Sequence, residues 1–265
     1  MLEKHQPMKA ILFDLDGVFY TGNEAISHAV EVAHWVKQNA IPHLYVTNTS
    51  SKPRSELVKK LAGFGIETTQ ENIFTPIVAT ISWLQAEGVH HHLALHIPES
   101  SQSEFSDFDR YIPSAHEPSA IIIGDLGDKW NYSVLNQIFR WLMAEPQIPF
   151  IALGMTRYWQ AEDGLRLDVA PFIKALEFAS GKKALVMGKP AKHFFKAAIS
   201  QLEMKAEDVL MIGDDIYSDI EGAQLSGLQA WLVKTGKYRD SDLESGIKPD
   251  KIIDSVVDLI KCWTF

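Results

Sequence analysis

Short apolar runs alternate along this chain with segments whose apolar residues recur every three or four positions. Ala10-Ile11-Leu12-Phe13 runs directly into Asp14 and reads as a buried strand. The segment AVEVAHWVKQ at 29–38 spaces its apolar residues for one face of a helix. The alternation continues, with strands predicted at 43–48, 92–97, 120–125, 149–154, 184–188, 209–214 and 229–236. Helices are predicted at 55–65, 76–88, 133–145, 170–181, 192–203 and 219–227, with a terminal helix near 255–262. Gly65 and Gly88 supply stops for two of them. The stretch 98–118, which carries several Ser and Pro residues, reads as an ordinary connection, and no internal repeat or low-complexity segment interrupts the pattern. Strand and helix in strict alternation predict an α/β protein with a Rossmann-like, doubly wound parallel sheet.

Four of the predicted strands end in residues that carry chemistry. The first ends in Asp14-Leu15-Asp16-Gly17, and a strand period of two would send both carboxylates to one side. Like charges that close repel unless a proton or a cation intervenes. The second strand ends in Thr47 and Asn48, a hydroxyl and an amide. A third is followed by Gly188-Lys189-Pro190, which aims one ammonium at the same end of the sheet. The fourth ends in Asp214 and Asp215, with Asp219 one helical turn further on. In open parallel sheets, ligands bind beyond the carboxyl ends of the strands. Asp14, Asp16 and Asp214 would together make a hard oxygen site suited to Mg²⁺. Asp14 would then stay ionised on the cation as a nucleophile toward phosphorus, while Asp16 keeps a proton for the leaving group. Lys189 would neutralise charge on the phosphoryl oxygens and Thr47 would hold one of them.

Composition narrows the partners. A net charge of −9 over 265 residues argues against a nucleic-acid surface, which needs a basic stripe. It leaves a phosphorylated substrate open, because a cation and a lysine make a site locally positive. Cys262 is the single cysteine, so no intramolecular disulfide forms and a reduced setting is the simpler expectation. No run approaches the roughly 18 apolar residues of a membrane-spanning helix, and the opening MLEKHQPMK lacks the apolar stretch of a secretory signal. The expectation is a cytoplasmic protein with no membrane partner.

These motifs, Asp14-Leu15-Asp16-Gly17-Val18, Thr47, Lys189 and Gly213-Asp214-Asp215 with Asp219, resemble the four motifs of the haloacid dehalogenase superfamily. The resemblance implies Asp14 as nucleophile and Asp16 as general acid/base. It implies Thr47, Asn48 and Lys189 as phosphate contacts, and a Mg²⁺ site of Asp14, Asp214 and the carbonyl of Asp16. Asp219 and Asp215 would orient Lys189 or a metal-bound water. Within the superfamily, dehalogenases lack an acid two residues after the nucleophile, so Asp16 favours a phosphatase or phosphomutase.

Spacing adds the domain plan. Only 33 residues separate Asp14 from Thr47, while about 140 separate Asn48 from Lys189. That places an insertion in the second gap, as in the NagD-like branch with a type II cap, and predicts a core of 1–76 plus 185–265 with a cap of 77–184. Tyr158 and Asp168 fall in the cap segment that faces the site in the family and are candidate substrate contacts; a hairpin around Asp163-Gly164 is the plainer reading of the same stretch. Family members often pair through their caps, which implies a homodimer by resemblance alone. A roofing cap implies small phosphorylated molecules as substrates.

Each motif alone has a bland explanation. Asp-x-Asp-Gly and Gly-Asp-Asp commonly make turns and helix caps, and the Gly-Asp-Leu-Gly-Asp run at 124–128 reads as such a turn. The His90-His91-His92 tract reads as a solvated loop, and Trp35, Trp83 and Trp141 as packing. The competing functions are a phosphomutase or phosphotransferase with the same first step, and a non-catalytic regulator that binds Mg²⁺ and phosphate.

Overall fold

The computed structural model describes residues 8–112, 117–161 and 163–264, so part of the 98–118 connection lies outside the described residues. Within that connection, residues Glu99–Phe105 form 3₁₀ turns. The chain divides into two compact units. The first comprises residues up to Thr47, then Arg54–Phe74 and Lys189 onward; the second comprises Asn48–Pro53 and Thr75–Gly188.

The first unit is built on a six-stranded parallel sheet. Its order is Lys251–Ile253, Gln229–Val233, Val209–Gly213, Ala10–Asp14, His43–Val46 and Ile73–Phe74. Ala10–Asp14 is buried throughout, because both faces of a central parallel strand are covered by helices. Its register sets Leu12 against Met211 on one side and Leu44 on the other. Parallel pairing in this register brings Asp14, Thr47 and Asp214 to the carboxyl ends of three adjacent strands. The Ala29–Gln38 helix turns Ala29, Val32, Ala33 and Val36 inward, as its spacing demands. These meet Phe13, Phe19 and Tyr45, whose rings pack edge-on at 5.3 and 5.1 Å across Phe19.

The second unit carries its own four-stranded parallel sheet, ordered Leu185–Val186, Phe150–Ala152, Ala120–Ile123 and Leu93–His96. Its core joins Ile121, Ile123, Ile138, Leu142, Ile173 and Leu176. Helix starts here follow their sequence signals. Thr75 Oγ1 accepts from the Val78 N–H ahead of Pro76, and Asn131 Oδ1 accepts from the Val134 N–H. The fold is therefore the expected α/β class.

Several elements differ from the periodicity-based expectation. The stretch expected as a helix over 219–227 begins earlier as a π-helical segment, Ile216–Glu221, continued by a short α-helical Gly222–Gln224. Asp215 starts it, its Oδ1 accepting from the N–H groups of Tyr217 and Ser218 at 3.0 Å each. The strand expected at 184–188 is reduced to Leu185–Val186. Edge strands Ile73–Phe74 and Lys251–Ile253 are too short to show a period. Tyr158–Ala161 and Gly164–Leu167 pair as an antiparallel hairpin, so the turn at Asp163-Gly164 is real. No helix among the described residues is long and apolar enough to cross a membrane.

Candidate active site

Asp14 closes the first strand, and its side chain is almost completely enclosed. The chain leaves the sheet at this point, so the strand period does not extend to Asp16. Asp16 lies in the following turn with an exposed side chain. The two aspartates therefore differ in burial, Asp14 enclosed and Asp16 open to solvent. Gly17 makes the turn with a φ of 86°. A Cβ there would overlap the Asp214 carboxylate, so only glycine lets the two chain segments approach this closely.

Lys189 supplies the countercharge. It is 7% exposed, with Nζ 2.5 Å from Asp14 Oδ1 and 2.7 Å from Asp219 Oδ1. Asp219 is fully buried, and its Oδ2 also accepts from the Asp215 N–H at 3.2 Å. Asp214, 1% exposed, uses Oδ2 to accept from the Lys237 N–H at 2.7 Å. Its Oδ1 is buried with no hydrogen-bond partner. One carboxylate oxygen each from Asp14, Asp214 and Asp219 lies within 4.8 Å of the others.

Three enclosed carboxylates around one ammonium leave an excess of negative charge, and the acid strengths respond to it. Burial pushes the Asp14 carboxyl up to about 8; Lys189 opposes the shift, while Asp219 and Asp214 add to it. Burial, with Asp219 beside it, raises Asp214 to about 6. Burial works against the charge on Lys189, but Asp14 and Asp219 outweigh it and hold the ammonium above its ordinary range. Asp215 goes the other way: burial is outweighed by the Ser218 N–H, Lys237 and the Tyr217 N–H.

A hard divalent cation fits this donor set. The ligands are carboxylate oxygens, the local charge is in deficit by a cation, and the Asp214 Oδ1 acceptor is otherwise an unsatisfied buried polar atom.

The remaining residues singled out in the sequence are placed as follows. Thr47 directly follows the His43–Val46 strand and is buried, its N–H bonded to the Phe74 carbonyl at 3.1 Å. Asn48 is exposed and belongs to the second unit. Tyr158, 50% exposed, sits in the hairpin opposite Leu167. Asp168 caps the Val169–Ser180 helix, its Oδ1 accepting from the Val169 N–H at 2.6 Å. Asp125 of the Gly-Asp-Leu-Gly-Asp run makes a local turn, accepting from the Gly127 N–H at 2.8 Å. Sequence reasoning assigned no role to Thr235, Gly236 or Lys237, which follow the Gln229–Val233 strand and reach Gly17 and Asp214. Their only signal was position, the end of a strand in the same sheet.

A family model described as "Haloacid dehalogenase-like hydrolase" matches residues 11–109, and a second, HAD-hydrolase-like model matches 186–259. A human protein named phospholysine phosphohistidine inorganic pyrophosphate phosphatase is 35% identical over 96% of this chain and 93% of its own length. The chain belongs to the haloacid dehalogenase superfamily. Two solved structures agree with this over nearly the whole fold. The p-nitrophenyl phosphatase of Archaeoglobus fulgidus superposes with a TM-score of 0.88 at 25% identity, covering 97% of this chain and 100% of that one. NagD of E. coli K-12 superposes with a TM-score of 0.85 at 21% identity, covering 96% and 98%. The chain shares its fold with NagD, and it is an enzyme, a phosphoric monoester hydrolase of that superfamily.

Proposed function

We propose that this haloacid dehalogenase-type hydrolase is a Mg²⁺-dependent phosphatase of small phosphorylated molecules that works through a phosphoryl group carried on Asp14. The observation that supports it most is the enclosed group of Asp14, Asp214 and Asp219 around Lys189, with Asp214 Oδ1 left unpartnered. Asp14, Asp214 and the backbone around Asp16 would hold the Mg²⁺, which supplies electrostatic stabilisation to the oxygens of the transferring phosphoryl group.

The chain's own residues carry the chemistry. An Asp14 carboxylate oxygen attacks phosphorus while the bond from phosphorus to the leaving oxygen breaks. Asp16, exposed and two residues away, gives that oxygen a proton and later takes one from the water that hydrolyses the aspartyl-phosphate. Lys189 holds the Asp14 carboxylate through its 2.5 Å contact and offers positive charge to the phosphoryl group. Thr47, at the end of the adjacent strand, binds a phosphoryl oxygen. Asp219 fixes Lys189 from its other side.

The name of the human relative adds phosphorus–nitrogen compounds and pyrophosphate to the substrates worth testing. The test is phosphate release from a panel of sugar phosphates, nucleotides, p-nitrophenyl phosphate, pyrophosphate and phosphoramidates, with Mg²⁺ or EDTA. Turnover that requires both Mg²⁺ and Asp14 is expected. Full turnover by Asp14→Asn, or turnover indifferent to EDTA, would overturn the proposal. Formation of an isomeric phosphate ester in place of free phosphate would identify a phosphotransferase.

A further inference from the structure

The strand Gln229–Val233 runs parallel to Val209–Gly213 with Leu232 opposite Gly213, so the chain that follows it emerges beside Asp214. That chain is Lys234-Thr235-Gly236-Lys237. It touches the site at three atoms. Thr235 Oγ1 donates to the Gly17 carbonyl at 2.5 Å. The Lys237 N–H donates to Asp214 Oδ2 at 2.7 Å. Gly236, with a φ of 67°, lies against both, and a Cβ there would overlap Asp214 Oδ2 and Gly17 Cα. A fourth contact, outside the buried group, sets Lys237 Nζ 3.4 Å from Asp215 Oδ2.

We propose that the Thr235-Gly236-Lys237 turn is a positioning element for the cation site, locking the Asp214 carboxylate and the Asp16–Gly17 turn against each other. The inference rests on the reading of the site as a Mg²⁺ centre. A carboxylate rotates about its last torsion with little hindrance, so an aspartate with one unpartnered oxygen does not present it in a fixed direction by itself. The Lys237 N–H occupies Oδ2, and the absence of side chains at Gly17 and Gly236 lets both backbones press on that oxygen. Oδ1 is thereby held as the presented atom, and it is the atom that lacks a partner.

The same turn secures the other segment of the site. The Gly17 N–H donates to the Tyr20 carbonyl at 2.7 Å, and the Gly17 carbonyl accepts from Thr235. Because a trans peptide is planar, with its N–H and C=O pointing in opposite directions, fixing the Gly17 N–H also fixes the direction of the Asp16 carbonyl. Thr235 anchors the next peptide plane, so the turn after Asp14 is held at both of its central peptides. Partners of this kind, which touch ligands without touching the metal, typically change metal affinity about 10–100-fold when removed.

The experiment is a calorimetric titration of the full chain with Mg²⁺, in wild type and three variants, with thermal melts in EDTA beside it. Thr235→Val removes the donated hydrogen bond, keeps shape, and is expected to weaken Mg²⁺ binding about tenfold. Thr235→Ser keeps the hydroxyl and is expected to bind within about threefold of wild type. Lys237→Ala keeps the backbone N–H, and it removes a cation that competes with Mg²⁺ for the same negative field. Its affinity is expected to equal or exceed that of wild type. The melts in EDTA are expected to be nearly the same for wild type and Thr235→Val.

Wild-type Mg²⁺ affinity in Thr235→Val would overturn the proposal. So would equal weakening in Thr235→Val and Thr235→Ser, which would assign the effect to packing of the methyl group. A loss confined to Lys237→Ala would do the same, since it would place the effect in the ammonium. Absence of Mg²⁺ binding by wild type would overturn the reading of the site itself, and this inference with it.

Discussion

Two parallel sheets run through the chain, and each has a buried strand that ends in Gly-Asp. In the six-stranded sheet the pair is Gly213-Asp214; in the four-stranded sheet it is Gly124-Asp125. Asp214 is enclosed, stands among Asp14, Asp219 and Lys189, and keeps one oxygen unpartnered. Asp125 is half-exposed and uses its carboxylate on the Gly127 N–H two residues away. The local sequence is the same and the physics is opposite. A carboxylate acquires chemistry here from what the neighbouring strands deliver beside it. The strand beside Val209–Gly213 delivers Asp14, whereas the strands flanking Ala120–Ile123 end in His96 and Ala152.

Substitution of the aspartates separates the two sheets most sharply. Asp14→Asn is expected to lower turnover by a factor on the order of 10⁴ or more, as removal of a nucleophile does. Asp125→Asn is expected to change turnover by less than about twofold, because its turn remains available to an asparagine. Initial rates at saturating Mg²⁺ decide this, and comparable losses in the two variants would erase the distinction.

The next effect is on stability. Lys189→Met leaves Asp14 and Asp219 buried without their countercharge, which costs about 3–5 kcal/mol. Urea unfolding at pH 8 in EDTA is the measurement. An unchanged midpoint would mean that Lys189 does not compensate the enclosed acids.

The two units are further expected to respond to pH in opposite senses. Asp14 and Asp214 have folded values of about 8 and 6, above the 3.8 of a free aspartate. Their burial costs nothing below pH 4 and costs progressively more as pH rises to about 8, unless a cation compensates it. The rise in Tm on adding Mg²⁺ should therefore grow between pH 5 and pH 8. A Mg²⁺-induced shift that is constant or shrinks over that range would contradict the assignment of the cation to these carboxylates.

In the second unit, burial lowers His96 to about 4 from 6.5, and its Nε2 is enclosed without a partner. The unfolded chain binds that proton more readily between pH 4 and 6.5, so stability rises with pH over that window and is level above it. Replacement by phenylalanine, which suits the neighbouring Trp141 ring, should flatten this acid limb by about 3 kcal/mol. An acid limb identical in wild type and His96→Phe, followed by fluorescence against pH, would remove His96 from the account.

Much of this organisation is legible in the sequence, for a definite reason. A continuous apolar run, as in Ala10–Asp14, and a one-sided helical spacing, as in Ala29–Gln38, can both be read directly. Strand ends then mark where chemistry can gather, and Asp14, Lys189, Asp214 and Asp219 do gather. What escapes is short or written in the backbone. Ile73–Phe74 spans two residues and cannot show alternation. The Ile216–Glu221 segment has a period other than 3.6, with Asp215 capping it and Asp219 in contact with Lys189. Asp16 is exposed because the strand ends at Asp14 and the chain turns at Gly17, which a strand period cannot anticipate. The Lys237 contact to Asp214 is made by a peptide N–H, a group that every residue except proline shares. Asp168 has a clear local use as a helix cap, and composition alone does not reveal that choice.

The most direct test of the central claim is to quench the enzyme in acid during its first turnover of a phosphorylated substrate and map the protein by peptide mass. A phosphoryl group on the peptide containing Asp14, present with Mg²⁺ and absent in EDTA and in Asp14→Asn, is the predicted result. Turnover at full rate with no phosphoryl group on Asp14 at any quench time, or with the group on another residue, would contradict it.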